Sequence, residues 1–175
     1  KPDCKIVFDE VPGRHRHKLI DRDDHSARYP TFFNGEDITG YIDLKLNSKS
    51  LRHKGIKAEL HGIIERYGTI KKTKEFLNLK TDVSRPEEIT REKSTLNFGF
   101  KNVKMPYESY KGDYATVKYY VKIIITATYK NAEYEQEFAV VNPYDSSILQ
   151  NNDEPLRMQV GMKDKLSLSI YFQHK

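Results

Sequence analysis

His15 and His17 stand two residues apart, with His25 further along. On a strand that spacing would place the first two on one face, where they could approach a metal ion together. Arg14, Arg16 and Lys18 surround them and would repel a cation. A solvated basic loop is the ordinary reading, and contact of Arg14, Arg16 and Lys18 with acidic lipid headgroups is the alternative. Cys4 as a nucleophile would need a nearby His and a lowered pKa, so a buried core thiol is the simpler assignment. One Cys also excludes the thiolate-rich zinc sites. Glu87 and Glu88 are adjacent in a presumed loop and make no acid–base constellation. Lys71, Lys72 and Lys74 read as a wet basic turn, and His53 and His61 as structural. No Gly-x-x-x-x-Gly-Lys-Ser/Thr loop, Gly-x-Ser-x-Gly elbow or His-Glu-x-x-His helix occurs. No catalytic, metal or cofactor-binding residue is assigned, and a non-enzyme is expected.

Tyr107, Tyr110, Tyr114, Tyr119 and Tyr120 could instead stack nucleic-acid bases on a sheet. Their setting argues for core packing with hydroxyls at the rim. The central feature is residues 115–128. Val117, Tyr119, Val121, Ile123, Ile125 and Ala127 alternate with Thr116, Lys118, Tyr120, Lys122, Thr126 and Thr128, and only Ile124 breaks the polar face. That period of two predicts one long strand, dry on one face and wet on the other, in the middle of a sheet.

Other strands are read at 4–11 (Ile6 and Phe8 inward), 38–47 (Ile42, Leu44 and Leu46 inward), 56–65, 76–81, 94–100, 134–140, 156–160 and 166–172. On 56–65 the apolar positions alternate against Lys57, Glu59, His61 and Glu65. Residues 13–28 read as an exposed loop or protruding hairpin, 34–35 as a turn, and 85–88 as a loop or at most one helical turn. Residues 130–132 read as a hairpin tip, and 142–155 as a polar loop. About nine strands and no convincing helix predict an all-β antiparallel sandwich of immunoglobulin-like architecture.

The 175 residues suffice for one domain with a proper core. With 37% hydrophobic and 31% charged residues, the surface is well solvated. The longest apolar run, 138–141, leaves no transmembrane helix. The N-terminal residues have a strand pattern, not that of a signal peptide. The first residue is Lys, so the true start is expected to precede it. A single Cys and no Asn-x-Ser/Thr site fit a reducing, cytoplasmic compartment. A net charge of +5 permits attraction to acidic membranes or nucleic acid without requiring either.

With these features in place, the chain resembles the Vps26 family, arrestin-like subunits of the retromer coat. Pro106-Tyr107-Glu108-Ser109-Tyr110-Lys111-Gly112 matches the family's Pro-Tyr-Glu-Ser-Tyr-x-Gly, ahead of a strand carrying Tyr119-Tyr120. Leu51-Arg52-His53-Lys54-Gly55-Ile56 resembles Leu-x-His-x-Gly-Ile, and Gly62-Ile63-Ile64-Glu65 follows. Met158-Gln159-Val160-Gly161, with Asp164 and Leu166, resembles Met-x-Val-Gly-x-x-Asp-x-Leu. Cys4-Lys5-Ile6 resembles the first strand, and Asn34-Gly35-Glu36 with Gly40 the second turn.

The resemblance implies an arrestin-like N-terminal lobe over 1–172, with 173–175 starting the connection to a second lobe absent here. It implies an adaptor without cofactor, peripheral on endosomal membranes, retrieving transmembrane cargo to the Golgi or plasma membrane. Its partners would be Vps35 (through the second lobe), Vps29, sorting nexins and cytosolic cargo tails. Met158, Val160 and Gly161 would line the site for cargo and sorting nexins by strand addition, or else pack the sandwich. Asn34, Gly35 and Glu36 form a candidate partner loop, although the family often has Asp where Asn34 stands. Tyr129-Lys130 replaces the family's paired Arg at the end of the long strand. A lobe without its mate could self-associate through an exposed edge. The rival readings are a retriever-type Vps26-like adaptor and a basic β-sheet nucleic-acid binder using Lys118 and Lys122.

Overall fold

The computed structural model describes residues 2–9, 17–20, 26–142, 156–162 and 166–172, and side chains within 2–9 and 28–142. Among the described residues there are fifteen strands and no helix. They fall into two compact units, Lys1–Asn142 and Pro143–Lys175.

The first unit is a sandwich. One sheet has three strands: β1 (Asp3–Phe8) and β10 (Lys93–Phe100) flank β5 (Ile38–Lys45), both antiparallel to it. The larger sheet runs β4 (Thr31–Phe32), β13 (Ala132–Val140), β12 (Ala115–Ile125), β7 (Ile56–Arg66), β8 (Lys72–Ser84), with β11 (Tyr110–Lys111) on the first residues of β12. Among the described strands, only β4 pairs in parallel, with β13. Two short pairs complete it: β2 (His17–Ile20) with β3 (Ser26–Tyr29), and β6 (Leu51–His53) with β9 (Glu87–Ile89). The second unit is the antiparallel hairpin of β14 (Leu156–Met162) and β15 (Leu166–Phe172).

The long strand lies in mid-sheet between β13 and β7, as its alternation requires. Tyr119, Val121, Ile123 and Ile125 are all buried on its inner face. From the other sheet, Ile6, Phe8, Ile38, Ile42, Leu44, Phe98 and Phe100 meet them in one core. Phe8 spans the layers, with ring centroids 5.5 Å from Phe138, 5.6 Å from Phe32 and 6.1 Å from Phe98, all edge-on. Edge-on rings bring positive edges to negative faces and add to area burial.

Several expectations are corrected. The long strand stops at Ile125, three residues before its predicted end. Thr126 exchanges backbone hydrogen bonds with Lys54 and Gly55, and Gly55 turns away at φ +133°. The strand predicted at 76–81 is the 13-residue β8. Residues 87 and 88, read as loop or at most one helical turn, begin the strand β9. Gly40 lies within β5, not in a turn: a Cβ there would meet the Val7 carbonyl oxygen at 2.2 Å. Cys4 is half-buried at the core's margin, not enclosed. The predicted wet face of β7 fails at His61 and Glu65, which are 8% exposed.

That last departure has an electrostatic cause. On the outer face, Glu59 meets Lys80 at 2.8 Å and His61 at 3.1 Å, and His61 meets Glu75 at 2.5 Å. The His61 ring stacks on Tyr120 at 5.0 Å. Glu65 meets Lys71 at 3.0 Å and Lys118 at 3.5 Å, and accepts from the Tyr67 hydroxyl at 3.0 Å. The Lys80 hydrogen bond holds Glu59 below the usual carboxylate range, and Asn78 and His61 do so for Glu75. Burial pushes Glu65 up, but Lys71, Lys118 and Tyr67 together outweigh it and leave its pKa lowered. Buried charges persist only when paired and hydrogen-bonded.

Candidate functional site

Two stretches singled out in the sequence, residues 34–36 and 106–112, are linked through residues 103–105, to which the first bonds and from which the second runs on. At the turn, Gly35 adopts φ +87°, a conformation open to glycine at little cost. Its N–H donates to the Val103 carbonyl (2.8 Å), and the Val103 N–H donates to the Glu36 carbonyl (3.0 Å). The Glu36 carboxylate accepts from the Phe33 N–H at 2.7 Å. The Asn34 side-chain oxygen accepts from the Met105 N–H at 2.7 Å, and Asp37 accepts from the Asn102 N–H at 2.7 Å. Asn102 itself sits at φ 46°, a left-handed conformation Asn tolerates better than most residues. The turn is therefore locked from both sides. Asn34 is exposed while Gly35 and Glu36 are half-buried.

The 106–112 stretch follows from this lock. The Tyr119 hydroxyl donates to the Tyr107 carbonyl at 2.7 Å and accepts from the Tyr107 N–H at 3.3 Å. Burial pushes its pKa up to about 12. Phe76 stands edge-on between Tyr107 (5.0 Å) and Tyr119 (5.4 Å). Ser109 donates its N–H to the Val140 carbonyl and accepts the Val140 N–H on its hydroxyl, both at 2.8 Å. Glu108 accepts from the Asn142 N–H at 2.7 Å. The Glu-Ser pair thus closes the end of β13 with one donor, the Ser109 N–H, and two acceptors, the Ser109 hydroxyl and the Glu108 carboxylate.

Lys111 adds a tie that sequence reasoning missed. Its ammonium donates to the Tyr29 hydroxyl at 2.9 Å, lies 4.9 Å from the Tyr29 ring centre, and sits 3.4 Å from Glu137. Burial opposes the charge, yet these partners raise its pKa. Lys111 therefore anchors β3, and with it the β2–β3 hairpin. No spacing in the sequence links residues 29, 111 and 137, so no local pattern could have revealed the contact.

Lys18 falls on β2 in register with Arg28, which is exposed. Arg14 and Arg16 lie outside the described residues. Met158, Val160 and Gly161 lie on β14, in register with Ile170, Leu168 and Ser167, and their side chains lie outside what is described. Lys118 and Lys122, which a nucleic-acid binder would need free, are held by Glu65 and by Glu133 and Glu135 respectively. No described helix is long and apolar enough to cross a membrane.

Comparison with known proteins places this geometry in context. The family model described as "Vacuolar protein sorting-associated protein 26" matches residues 1–175. Vacuolar protein sorting-associated protein 26B of Mus musculus and of Homo sapiens are each 29% identical over 172 residues, covering 97% of this chain and 50% of theirs. Protein 26A of Arabidopsis thaliana is 31% identical over 175 residues, covering 98% of this chain and 57% of its own. The chain spans about half the length of the curated relatives it matches. Among solved structures, Spo0M, a sporulation control protein from Bacillus subtilis, matches with a TM-score of 0.58 at 12% identity, covering 85% of this chain and 53% of that one. At that identity the likeness concerns the fold alone, a sheet-rich sandwich.

Proposed function

The chain belongs to the Vps26 family, and on that premise we propose that it is the arrestin-like N-terminal lobe of a retromer subunit. The lobe would span residues 1–172, with 173–175 leading into a second lobe. The family match over residues 1–175 is the observation that carries this reading. The protein acts as a non-enzymatic adaptor on the cytoplasmic side of endosomal membranes. It positions transmembrane cargo for retrieval and performs no bond chemistry. Vps35 is held by the second lobe, Vps29 joins through the same complex, and sorting nexins recruit the assembly.

Within this lobe we assign two docking elements. The Asn34–Gly35–Glu36 turn presents a pre-formed loop to a sorting nexin. Its five hydrogen bonds with residues 33, 103 and 105 support this, because a rigid loop loses little entropy on binding. Strand β14, with Met158, Val160 and Gly161, accepts an extended cargo tail. Arg14, Arg16 and Lys18 add weak attraction to acidic lipid, which would speed and orient encounter more than strengthen it.

Affinity purification of the tagged full-length protein, second lobe included, from cells tests the assignment. Stoichiometric recovery of the Vps35 solenoid and Vps29 is expected. Recovery of neither, from cells in which both are abundant, would contradict it.

A further inference from the structure

On the inner face of β12, Tyr119 is fully buried, but Val117 and Ala115, next on the same face, are only half-buried. Across the ladder from these two lie Ile64 and Arg66 of β7, and across from those, Lys74 and Lys72 of β8. Tyr110 of β11 is in register with Val117 from the other side. The larger sheet thus carries its inner face beyond the core as a ledge. Ala115, Val117 and Ile64 form its half-buried floor. Arg66, Lys72 and Lys74 are exposed on one side, Tyr110 (56% exposed) borders the other, and Tyr107 (49% exposed) stands against Phe76 of β8 where the ledge meets the core. The opposite face of the same strands is the sealed one: Ile63, Glu65 and Thr116 are 7–8% exposed beneath the ion-pair lattice. A sheet ordinarily wets the face away from the core, so this end is inverted.

The cations of the ledge differ from those of the outer face. Lys71, Lys80, Lys118 and Lys122 each reach a glutamate. Arg66, Lys72 and Lys74 form no ion pair among the described residues. The loop between β11 and β12 supplies one carboxylate, Asp113, against three positive charges. Beside these cations, β8 is the terminal strand of its sheet, and among the described residues no strand pairs with its outer edge.

We propose that this ledge docks an extended acidic segment of a partner protein, added to β8 as a further strand. Residues two apart in an added strand point to one face, so two carboxylates in that spacing would meet Lys72 and Lys74 together. An apolar side chain further along would rest on Phe76 and Tyr107. Peptide groups satisfy an unpaired strand edge, whereas phosphates of nucleic acid or lipid could use only the cations. A second copy of β8 would bring lysine against lysine, the charge arrangement that protects natural edges from self-pairing. This inference stands apart from the retromer assignment and does not need it.

The test is direct binding, read by fluorescence anisotropy at low salt. The probes are a labelled Glu-Val-Glu-Val peptide, its Gln-Val-Gln-Val counterpart, a single-stranded oligonucleotide and phosphatidylserine vesicles. The acidic peptide should bind wild type at least about tenfold more tightly than the amide peptide, and should lose about tenfold with Lys72→Glu/Lys74→Glu. The charge-matched Lys45→Glu/Lys93→Glu variant, reversed on exposed positions of the other sheet, should change it less than about twofold. Backbone hydrogen exchange over residues 72–76 should slow on binding. Lys72→Gln/Lys74→Gln serves if charge reversal disturbs folding. Equal loss in both reversed variants, no slowing of exchange on β8, or ledge-dependent binding of the oligonucleotide or vesicles in place of the peptide would each overturn the proposal.

Discussion

Asn34 and Met105 are 71 residues apart in the chain, yet the Asn34 side-chain oxygen accepts the Met105 N–H at 2.7 Å. This bond fastens the Asn-Gly turn to the residue just before the Pro-Tyr-Glu-Ser-Tyr run, and so links the two stretches by which the sequence resembles its family at this end. A charge at position 34 is not needed for it, because any side-chain oxygen so placed can accept.

Asn34→Asp should therefore fold with near wild-type stability, while Asn34→Ala should lose about 1 kcal/mol and about 2–4 °C in Tm. Paired thermal melts check this. Equal melting of Asn34→Ala and wild type would show that the bond does not hold the turn.

Tyr119→Phe leaves the Tyr107 N–H and carbonyl without their partner and should cost about 1–3 kcal/mol by urea denaturation. The same hydroxyl predicts an alkaline limit. Its pKa is raised from 10.0 to about 12 by burial, so the unfolded chain loses this proton first. The contribution is complete below pH 10 and fades as pH rises towards 12. In Tyr119→Phe the slope of stability against pH over that window should be shallower.

His53 predicts the acid side. Its side chain is fully enclosed, and its Nδ1 accepts the Gly55 N–H at 3.2 Å. Burial lowers its pKa below the ordinary 6.5, although Glu87 pulls the other way. The unfolded chain takes the proton first, so stability is complete above about pH 6.5 and falls as pH drops below it. His53→Gln, which can still accept from Gly55, should flatten the loss measured between about pH 7 and 5. An unchanged slope would clear His53 of any part in it.

Gly40→Ala should be strongly destabilising, since its Cβ would meet the Val7 carbonyl oxygen at 2.2 Å and the Phe98 ring at 2.8 Å. Backbone cannot yield as a side chain can, so a cost at or above the usual ~1–3 kcal/mol of overpacking is expected. Gly68→Ala, with nothing within 4 Å, should be near neutral. Chemical denaturation of the pair tests this contrast.

What could be read in advance depended on whether a residue's environment is local. Tyr119 to Ile125 alternate cleanly because the strand is central and dry on one side, and so its place was plain. Lys72 to Glu75 looked like a turn because an edge strand need not be apolar; its partner β7 makes it a strand. Glu87 and Glu88 became β9 through pairing with His53 and Arg52, 34 and 36 residues away in sequence. His61 and Glu65 looked wet because burial under a lattice of opposite charges leaves no hydrophobic trace. The turn at Asn34 was legible from its dipeptide, but its lock onto residues 102–105 is tertiary. The assignment of Met158, Val160 and Gly161 came from resemblance alone and remains a proposal.

The measurement closest to the central claim compares the tagged full-length protein, second lobe included, with its Val160→Asp variant in pull-downs from a cytosolic and endosomal extract. Wild type is predicted to recover Vps35 together with a sorting nexin and cargo tails, and the variant to keep Vps35 while losing the cargo. Failure of wild type to recover Vps35 would contradict the retromer adaptor. A folded variant that retains cargo as well as wild type would contradict the role given to β14.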